Sequence, residues 1–266
     1  MKILTDVKKL DPERTFLCGQ CFRWFADENG SFSGIVRGRR ITVCENGGQV
    51  EINGIPDSDE KFWLNYFDLE ADYGEYIARL SEDETLKKAC AASAGIRILR
   101  QEPFETLLSF IISQNNNIPR ISGIISRFSE QFGEKIDENG YAFPTAERLR
   151  GIEAEDLAPL RAGFRARYIA DAVDKINKGE IDFEEINALA LEPARERLKT
   201  IVGVGDKVAD CVLLFAFHKT DAFPRDVWIK RIMSEHFPEG LPKCAEGIEG
   251  IAQQYLFDYY RNLVTN

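Results

Sequence analysis

The sequence predicts an α+β fold in which an N-terminal antiparallel β-sheet packs on a mostly helical body that contains a helix-hairpin-helix motif. Residues 1–55 alternate apolar and polar positions between turns at Asn29-Gly30 and Asn46-Gly47-Gly48, a pattern typical of an antiparallel meander. From about Asp57 to the end, nearly every segment has the apolar spacing of helices. Strands grouped in one part of a chain and helices in another indicate a sheet packed against a helical layer.

This change of pattern divides the chain into two expected domains. Residues 1–100 would form the sheet with flanking helices, and residues 101–266 the helical body. The body would include the helix-hairpin-helix motif over residues 198–218 and a C-terminal helix. Because no low-complexity linker is present, the sheet is expected to dock on the body.

The net charge limits the kind of partner. A formal charge of −10 argues against indiscriminate binding of polyanions, so nucleic-acid binding would require locally placed cations. No run of 18 apolar residues is present and residues 1–15 lack the apolar core of a signal peptide. We therefore expect a monomer in the cytoplasm, associated with the nucleoid if bacterial, with no membrane partner. The candidate cations are Arg37, Arg39, Arg40, Arg120, Arg127, Arg161, Arg165, Arg167, Lys207 and Arg225.

The six cysteines are expected to be free thiols, since no secretion signal is present. Cys18 and Cys21 form a CxxC pair, but no second pair exists and both histidines, His218 and His236, lie far away in sequence. Zinc and other cofactors are therefore not expected. The segment after Cys21 continues as a strand, which also argues against a redox motif.

The most informative stretch is residues 198–231, LKTIVGVGDKVADCVLLFAFHKTDAFPRDVWIKR. A short helix is expected to end at Val202, and a second helix to run from about Asp206 to His218. Between them, Gly203 and Gly205 around one valine predict a tight hairpin. The free N–H groups that begin the second helix would form a cradle for a phosphate.

Two side chains at helix starts suggest chemistry. Lys207 lies in the first turn of the second helix, where a positive charge is unfavourable, and this favours the neutral amine that can form a Schiff base. Asp226 follows Pro224 and is predicted to cap the next helix. Backbone N–H groups would lower its pKa and keep it ionised, which suits stabilisation of a developing positive charge. A helix of ~18 Å followed by an extended return of up to ~23 Å can bring both helix starts to the same end.

Three further segments have both a functional and a structural interpretation. The apolar helix that begins at Pro103 should be central and buried, and it stops at residues 115–117, Asn-Asn-Asn, which by composition alone is an interhelical turn. Phe164, flanked by arginines at a helix start, suits insertion into a base stack, or equally a core position. Gln253 and Phe257, four apart in an amphipathic C-terminal helix, share one face.

Six segments, taken together and in order, carry a resemblance that spans residues 19–257: GQCFRW, SQNNNIPRISG, GFRARYIADA, VGVGDKVADCVLLFA, FPRDVW and AQQYLF. They resemble the eukaryotic-type 8-oxoguanine DNA glycosylases of the helix-hairpin-helix glycine-proline-aspartate superfamily. The resemblance implies removal of 8-oxoguanine, preferably opposite cytosine, from double-stranded DNA. Lys207 would be the Schiff-base nucleophile and Asp226 the catalytic carboxylate, with β-elimination as an associated lyase activity.

The same resemblance implies a pocket for the extruded base. The Gly19 carbonyl would accept the N7 hydrogen that 8-oxoguanine has and guanine lacks. Cys211 and Phe257 would sandwich the base, and Gln253 would contact its Watson–Crick edge.

Other residues would contact the remaining duplex. Asn115 would fill the gap left by the base, Phe164 would wedge beside the orphan base, and Arg120 with Arg165 would bond the unpaired cytosine. The phosphate-binding hairpin would consist of Gly203, Val204 and Gly205, and the carbonyls of Ile201 and Val204 would hold a structural ion.

Some features depart from the family pattern and leave alternatives open. Phe164 stands where the family often has Tyr, and Trp228 where it often has His, which puts a phosphate or pocket contact in doubt. Only Cys244 lies near the C-terminus, so no iron–sulfur cluster is expected, which argues against a glycosylase for oxidised pyrimidines. Lys207 argues against one for alkylated purines. A non-catalytic DNA-binding module, or an α+β protein without a nucleic-acid role, remains open on the sequence alone.

Overall fold

The computed structural model describes residues 2–265 and has the predicted α+β architecture. The strands are β1 (Ile3–Asp6), β2 (Trp24–Ala26), β3 (Phe32–Val36), β4 (Arg39–Asn46), β5 (Gln49–Asn53), β6 (Lys135–Asp137) and β7 (Gly140–Tyr141). The helices are α1 (Pro12–Leu17), α2 (Glu60–Tyr66), α3 (Tyr73–Leu80), α4 (Glu84–Ala92), α5 (Pro103–Ser113), α6 (Ile118–Phe132), α7 (Arg165–Asn177), α8 (Phe183–Ala188), α9 (Leu191–Lys199), α10 (Asp206–Phe215), α11 (Val227–His236) and α12 (Glu249–Thr265).

The N-terminal sheet has the order β1-β5-β4-β3-β2 with antiparallel neighbours. Strands β2 to β5 form the predicted meander, and β1 joins its far edge by pairing with β5, so that Ile3 lies opposite Ile52. Along β4 and β5, the alternate residues Ile41, Val43, Val50 and Ile52 are all fully buried. One face of the sheet therefore lies on the core, as the alternating pattern indicates.

Two short elements depart from the expectation of strands first and helices afterwards. Helix α1 interrupts the β region; Asp11 caps it by accepting a hydrogen bond of 3.0 Å from the Arg14 N–H, and Pro12 begins it. An Asp-Pro pair is a local helix signal that outweighs the surrounding β pattern. The β6–β7 hairpin interrupts the helical body, and the Asp137 carboxylate accepts from the Asn139 N–H at its turn.

The helical body is built around α5. Residues 106–112 of α5 are buried without interruption, which confirms the predicted central helix. Helix α10 packs on both α5 and α9, and α12 packs on α4 and α11. These contacts bring the start of α10, the end of α5 and one face of α12 to the same part of the molecule.

The boundaries near the hairpin differ slightly from those expected. Helix α9 ends at Lys199 rather than Val202, and α10 ends at Phe215 rather than His218, which has a left-handed φ of 52°. The cap of α11 is Asp226, as predicted. Among residues 2–265, none of the helices combines the length and hydropathy needed to span a membrane.

Candidate active site

The glycine hairpin between α9 and α10 lies open at the surface. Gly203 and Gly205 are exposed, and Val202 keeps 48% of its surface accessible. Only Gly203 has a positive φ, of 82°, whereas Gly205 has an ordinary φ of −105° and caps α10 without a side-chain hydrogen bond. A Cβ at Gly205 would meet nothing within 4 Å. The N–H groups at the start of α10 are therefore open to an anionic group.

Helix α7 holds the hairpin in place from the other side. The Asp171 carboxylate accepts a hydrogen bond of 2.7 Å from the Val202 N–H and pairs with Lys175, which also donates to the Thr200 carbonyl. The ring of Tyr168 lies directly on Gly203, where a Cβ would come within 2.4 Å of the ring. Only glycine therefore fits at residue 203, for reasons of both φ and space.

One pocket joins residues from five parts of the chain. It lies between α5, α10, α12, the start of α11 and the loop after α1, and its volume is about 320 Å³ when the space open to solvent is included. The structure thus brings together all six residues that the resemblance assigns to catalysis and base recognition. They are Gly19, Lys207, Cys211, Asp226, Gln253 and Phe257.

Lys207 reaches into this pocket from the first turn of α10. It is half-buried, and its Nζ lies 3.4 Å from the Ser113 Oγ and 5.3 Å from the centre of the Phe110 ring. One turn further along, burial raises the pKa of the Cys211 thiol to about 11, against an opposing effect of Lys207. Cys211 therefore stays a neutral thiol and provides an apolar wall.

Asp226 lies opposite as the cap of α11. Its Oδ1 accepts a hydrogen bond of 2.8 Å from the Ile229 N–H. The expectation that such bonds lower its pKa is wrong in sign: burial raises the pKa, and the N–H bonds and the Lys207 charge reduce this effect without reversing it. The sequence showed the cap but not the burial, which comes from packing.

Helix α12 and the loop after α1 form the rest of the pocket. Gln253 is only 4% exposed. Gly19 has a φ of 83°, and a Cβ on it would lie 3.7 Å from the Phe257 ring. The pocket also contains residues that the sequence analysis did not assign to it, and they carried no local motif: Cys18, Phe110, Phe215, Pro224 and Gln254. The one signal in the sequence that could have indicated Gln254 is that a second glutamine directly follows Gln253 in an otherwise apolar segment.

Three of the four residues assigned to duplex contacts lie at the surface. Asn115 follows α5 with a left-handed φ of 47° and is exposed, and Arg120 is exposed in the first turn of α6. Phe164 is 46% exposed at the start of α7 and packs edge-on against Tyr168, with ring centroids 5.7 Å apart. The interpretation of Phe164 as a core aromatic is therefore wrong.

Arg165 differs from the other three and needs a correction. It was expected at the surface, but it is only 3% exposed. Its guanidinium donates to the carbonyls of Gln114, Asn115 and Ala162, and it lies 4.5 Å from the centre of the Phe164 ring. The carbonyls of Gln114 and Asn115 lie in a loop, where they need hydrogen-bond donors from outside a helix. In this structure the Arg165 guanidinium supplies these donors and so stabilises the loop.

Other expected surface cations also have internal partners. Arg40 pairs with Asp137 through bonds of 2.6 and 2.8 Å, and Arg127 donates to the Leu160 carbonyl at 2.9 Å.

The Ile201 carbonyl, assigned to an ion together with that of Val204, accepts the Val204 N–H at 3.0 Å and retains a second lone pair. Within residues 2–265, no three His, Cys, Asp or Glu side chains are grouped to hold a metal.

Comparisons with known proteins match both halves of the chain. The family model "8-oxoguanine DNA glycosylase, N-terminal domain" matches residues 2–107, and "HhH-GPD superfamily base excision DNA repair protein" matches residues 108–244. The "Probable N-glycosylase/DNA lyase" of Methanothermobacter thermautotrophicus is 36% identical over 195 residues, which cover 65% of this chain and 62% of that protein. The "N-glycosylase/DNA lyase" of Saccharomyces cerevisiae is 33% identical over 266 aligned positions, which cover 89% of this chain and 70% of that protein.

A solved structure is similar over nearly its whole length. It is the Clostridium acetobutylicum 8-oxoguanine glycosylase/lyase in complex with double-stranded DNA containing cytosine opposite to 8-oxoguanine. The two chains share 41% identity with a TM-score of 0.91, over 99% of this chain and 96% of the other.

Proposed function

Since the chain belongs to the HhH-GPD superfamily of base excision DNA repair proteins, we propose that it is a bifunctional glycosylase and AP lyase that removes 8-oxoguanine from duplex DNA. The observation that carries the proposal is the meeting of Lys207 and Asp226 in one pocket beside an open glycine hairpin. The match to the N-terminal domain of 8-oxoguanine glycosylases supports this choice of base.

Binding would begin at the hairpin. The N–H groups around Gly205 and at the start of α10 would bind a strand phosphate, and the net charge of −10 would limit binding away from this surface. The damaged nucleotide would rotate out of the stack into the pocket, at a cost of a few kcal/mol in lost stacking. Asn115 and Phe164, which are both exposed, would occupy the space that it leaves.

In the pocket, the bond between C1′ and N9 would break with its electron pair moving to the base, which leaves after taking up a proton. The Asp226 carboxylate would stabilise the positive charge that develops on the sugar. The lone pair of the Lys207 amine would form a new bond to C1′, and opening of the sugar ring would convert this adduct into a Schiff base.

Lyase activity would follow from that Schiff base. Loss of a proton from C2′ would move its electron pair toward the iminium carbon, and the bond from C3′ to its oxygen would break with release of the 3′ phosphate. The strand would then carry a nick 3′ to the lesion. A buried Asp226 with a raised pKa is also suited to exchange protons during these steps.

The roles at the orphan base are proposed in the same way. Arg120 is exposed and free to approach an unpaired cytosine, and Arg165 would support it by holding the neighbouring loop, or would reach the cytosine after leaving its carbonyl partners.

We further propose two domains, 1–100 and 101–266, since the sheet has its own apolar cluster around Trp24 and Trp63. The protein would act as a monomer in the compartment that holds its DNA, which in a bacterium is the cytoplasm.

A borohydride experiment tests the proposal. Wild-type protein is incubated with a duplex containing 8-oxoguanine opposite cytosine, and borohydride reduces the Schiff base to a stable adduct. Lys207→Gln is expected to abolish the adduct, whereas Asp226→Asn should retain DNA binding and lose base release. An adduct that persists in Lys207→Gln would contradict the assignment of the nucleophile. Equal release from guanine:cytosine duplex would contradict the assigned base.

A further inference from the structure

At the wall of the pocket, a series of hydrogen bonds connects four buried side chains and ends at Gln253. Its members are Gln20, Cys18, Gln254 and Gln253, with exposures of 0, 1, 3 and 4%. Of these four residues, only Gln253 was assigned above to recognition of the base. Buried polar groups of this kind hold one another in a defined orientation when each is satisfied.

The orientation of the Gln20 amide is set by backbone groups, because a backbone N–H can only donate and a carbonyl can only accept. The Leu99 backbone N–H donates to the Gln20 Oε1 at 2.9 Å, so the other end of that amide must be the nitrogen. Consistent with this, Gln20 Nε2 donates to the carbonyls of Thr15 and Arg97 at 2.9 and 2.7 Å, and it lies 3.4 Å from the Cys18 Sγ. Because an amide nitrogen does not accept hydrogen bonds, Cys18 cannot donate its thiol hydrogen to Gln20.

The Cys18 thiol in turn sets the orientation of the Gln254 amide. Burial raises its pKa to about 12, so the thiol keeps its hydrogen at neutral pH. The shorter of the two contacts that can accept this hydrogen is the one to the Gln254 Oε1, with an S···O distance of 3.0 Å, and the Thr15 carbonyl is 3.3 Å away. The Gln254 nitrogen is consequently turned to Gln253, and it donates to the Gln253 Oε1 at 3.1 Å.

We propose that Gln20, Cys18 and Gln254 act as a positioning relay that locks the amide of Gln253, and thereby makes the pocket selective for a purine with a carbonyl at C6. This inference rests on the proposed function and assigns the relay a part in its base specificity. The Gln253 Oε1 is held on the side of Gln254, and its Nε2 has no acceptor among the side chains that the structure describes. The nitrogen is thus left for the bound base.

An amide locked in this way can match only one of the two purine edges. A 6-oxopurine presents an acceptor at O6 beside a donor at N1, whereas a 6-aminopurine presents the reverse. An amide free to turn by 180° would pair with either edge. A locked amide would leave its own buried groups unpaired against the wrong edge, and this is the situation in which polar pockets discriminate most strongly.

The test compares three duplexes: 8-oxoguanine opposite cytosine, 8-oxoadenine opposite cytosine, and a preformed abasic site. Gln254→Leu removes the lock and should lower the ratio of 8-oxoguanine to 8-oxoadenine release about tenfold, roughly the value of one hydrogen bond. Cleavage of the abasic duplex should fall less than release of 8-oxoguanine, because no base then contacts the Gln253 amide.

Cysteine variants supply a second route and a matched control. Cys18→Ala removes the donor to Gln254 and should lower the ratio, while Cys18→Ser keeps an O–H donor and should restore most of it. Cys90→Ala removes a thiol that is equally buried, at 1% exposure, and lies outside the pocket, so the ratio should not change. Thermal unfolding of each variant shows whether it is folded.

Several results would overturn the relay. One is an unchanged ratio in both Gln254→Leu and Cys18→Ala. Another is a parallel loss on all three duplexes, which would show that Gln254 is only structural. If wild-type protein acts on none of the duplexes, the proposed function itself fails, and the relay loses its basis together with it.

Discussion

Substitution of Gly203 by Ala should damage the hairpin in a way that the structure quantifies. The residue has a φ of 82°, and an L-residue in a left-handed conformation costs about 1–2 kcal/mol. The added Cβ would also lie 2.4 Å from the Tyr168 ring, and relief of such an overlap costs about 1–3 kcal/mol. Together the variant should lose about 2–5 kcal/mol of unfolding free energy.

Two further variants separate the effect of the hairpin on folding stability from its effect on DNA binding, and the steric overlap from the backbone strain. Gly205→Ala places its Cβ in open space at an ordinary φ of −105°, so the unfolding free energy should change by less than about 0.5 kcal/mol. DNA affinity should nevertheless fall, because the new methyl group would occupy the approach to the α10 N–H groups. Removal of the ring in Tyr168→Ala should make Gly203→Ala less harmful, with a coupling energy of about 1–3 kcal/mol.

Urea unfolding followed by circular dichroism gives the four free energies of this cycle, and fluorescence anisotropy with a labelled duplex gives the affinities. The expected pattern is a stability loss at residue 203 and an affinity loss at residue 205. The reasoning is refuted if Gly203→Ala unfolds at the same urea concentration as wild type, or if Tyr168→Ala and Gly203→Ala are strictly additive.

The other predictions concern the charged residues near the pocket. Arg165→Met leaves the carbonyls of Gln114 and Asn115 without their donor, so unfolding should become easier by about 1–3 kcal/mol and excision should fall to a similar extent opposite all four bases. Arg120→Met should instead reduce mainly the preference for cytosine; single-turnover rates opposite each base distinguish the two. Asp226→Asn should reduce base release about 10²–10³-fold while keeping the helix cap. The folded-state pKa of Asp226 is raised, so the folded protein binds this proton more readily than the unfolded chain, and stability falls as pH rises from the ordinary value through the raised one. The Asn variant should therefore be at least as stable as wild type at pH 7, and its stability should depend less on pH across that interval.

Much of the site followed from local signals in the sequence. The hairpin, the first-turn Lys207 and the capping Asp226 are each encoded within a few residues, because glycine turns and helix caps depend on nearby backbone geometry. The alternating pattern of the strands and the apolar composition of α5 likewise predicted which of their residues are buried. The six-segment resemblance then assigned the pocket residues, and the structure places all six in one cavity.

Other features depend on residues that are distant in the chain and had no local signal. The pairing of β1 with β5, the burial of Arg165 and the rise in the Asp226 pKa all arise from packing between elements. The same is true of the contact between Cys18 and Gln254, which are 236 residues apart.

The sequence by itself therefore determined the type of fold and the chemical groups at each helix start, since both are properties of short segments. The tertiary structure alone decided which of those groups are buried, which hydrogen bonds they form and which way the Gln253 amide faces. These properties depend on the neighbours that a side chain acquires on folding, because desolvation and hydrogen-bond direction are set by the atoms that surround it.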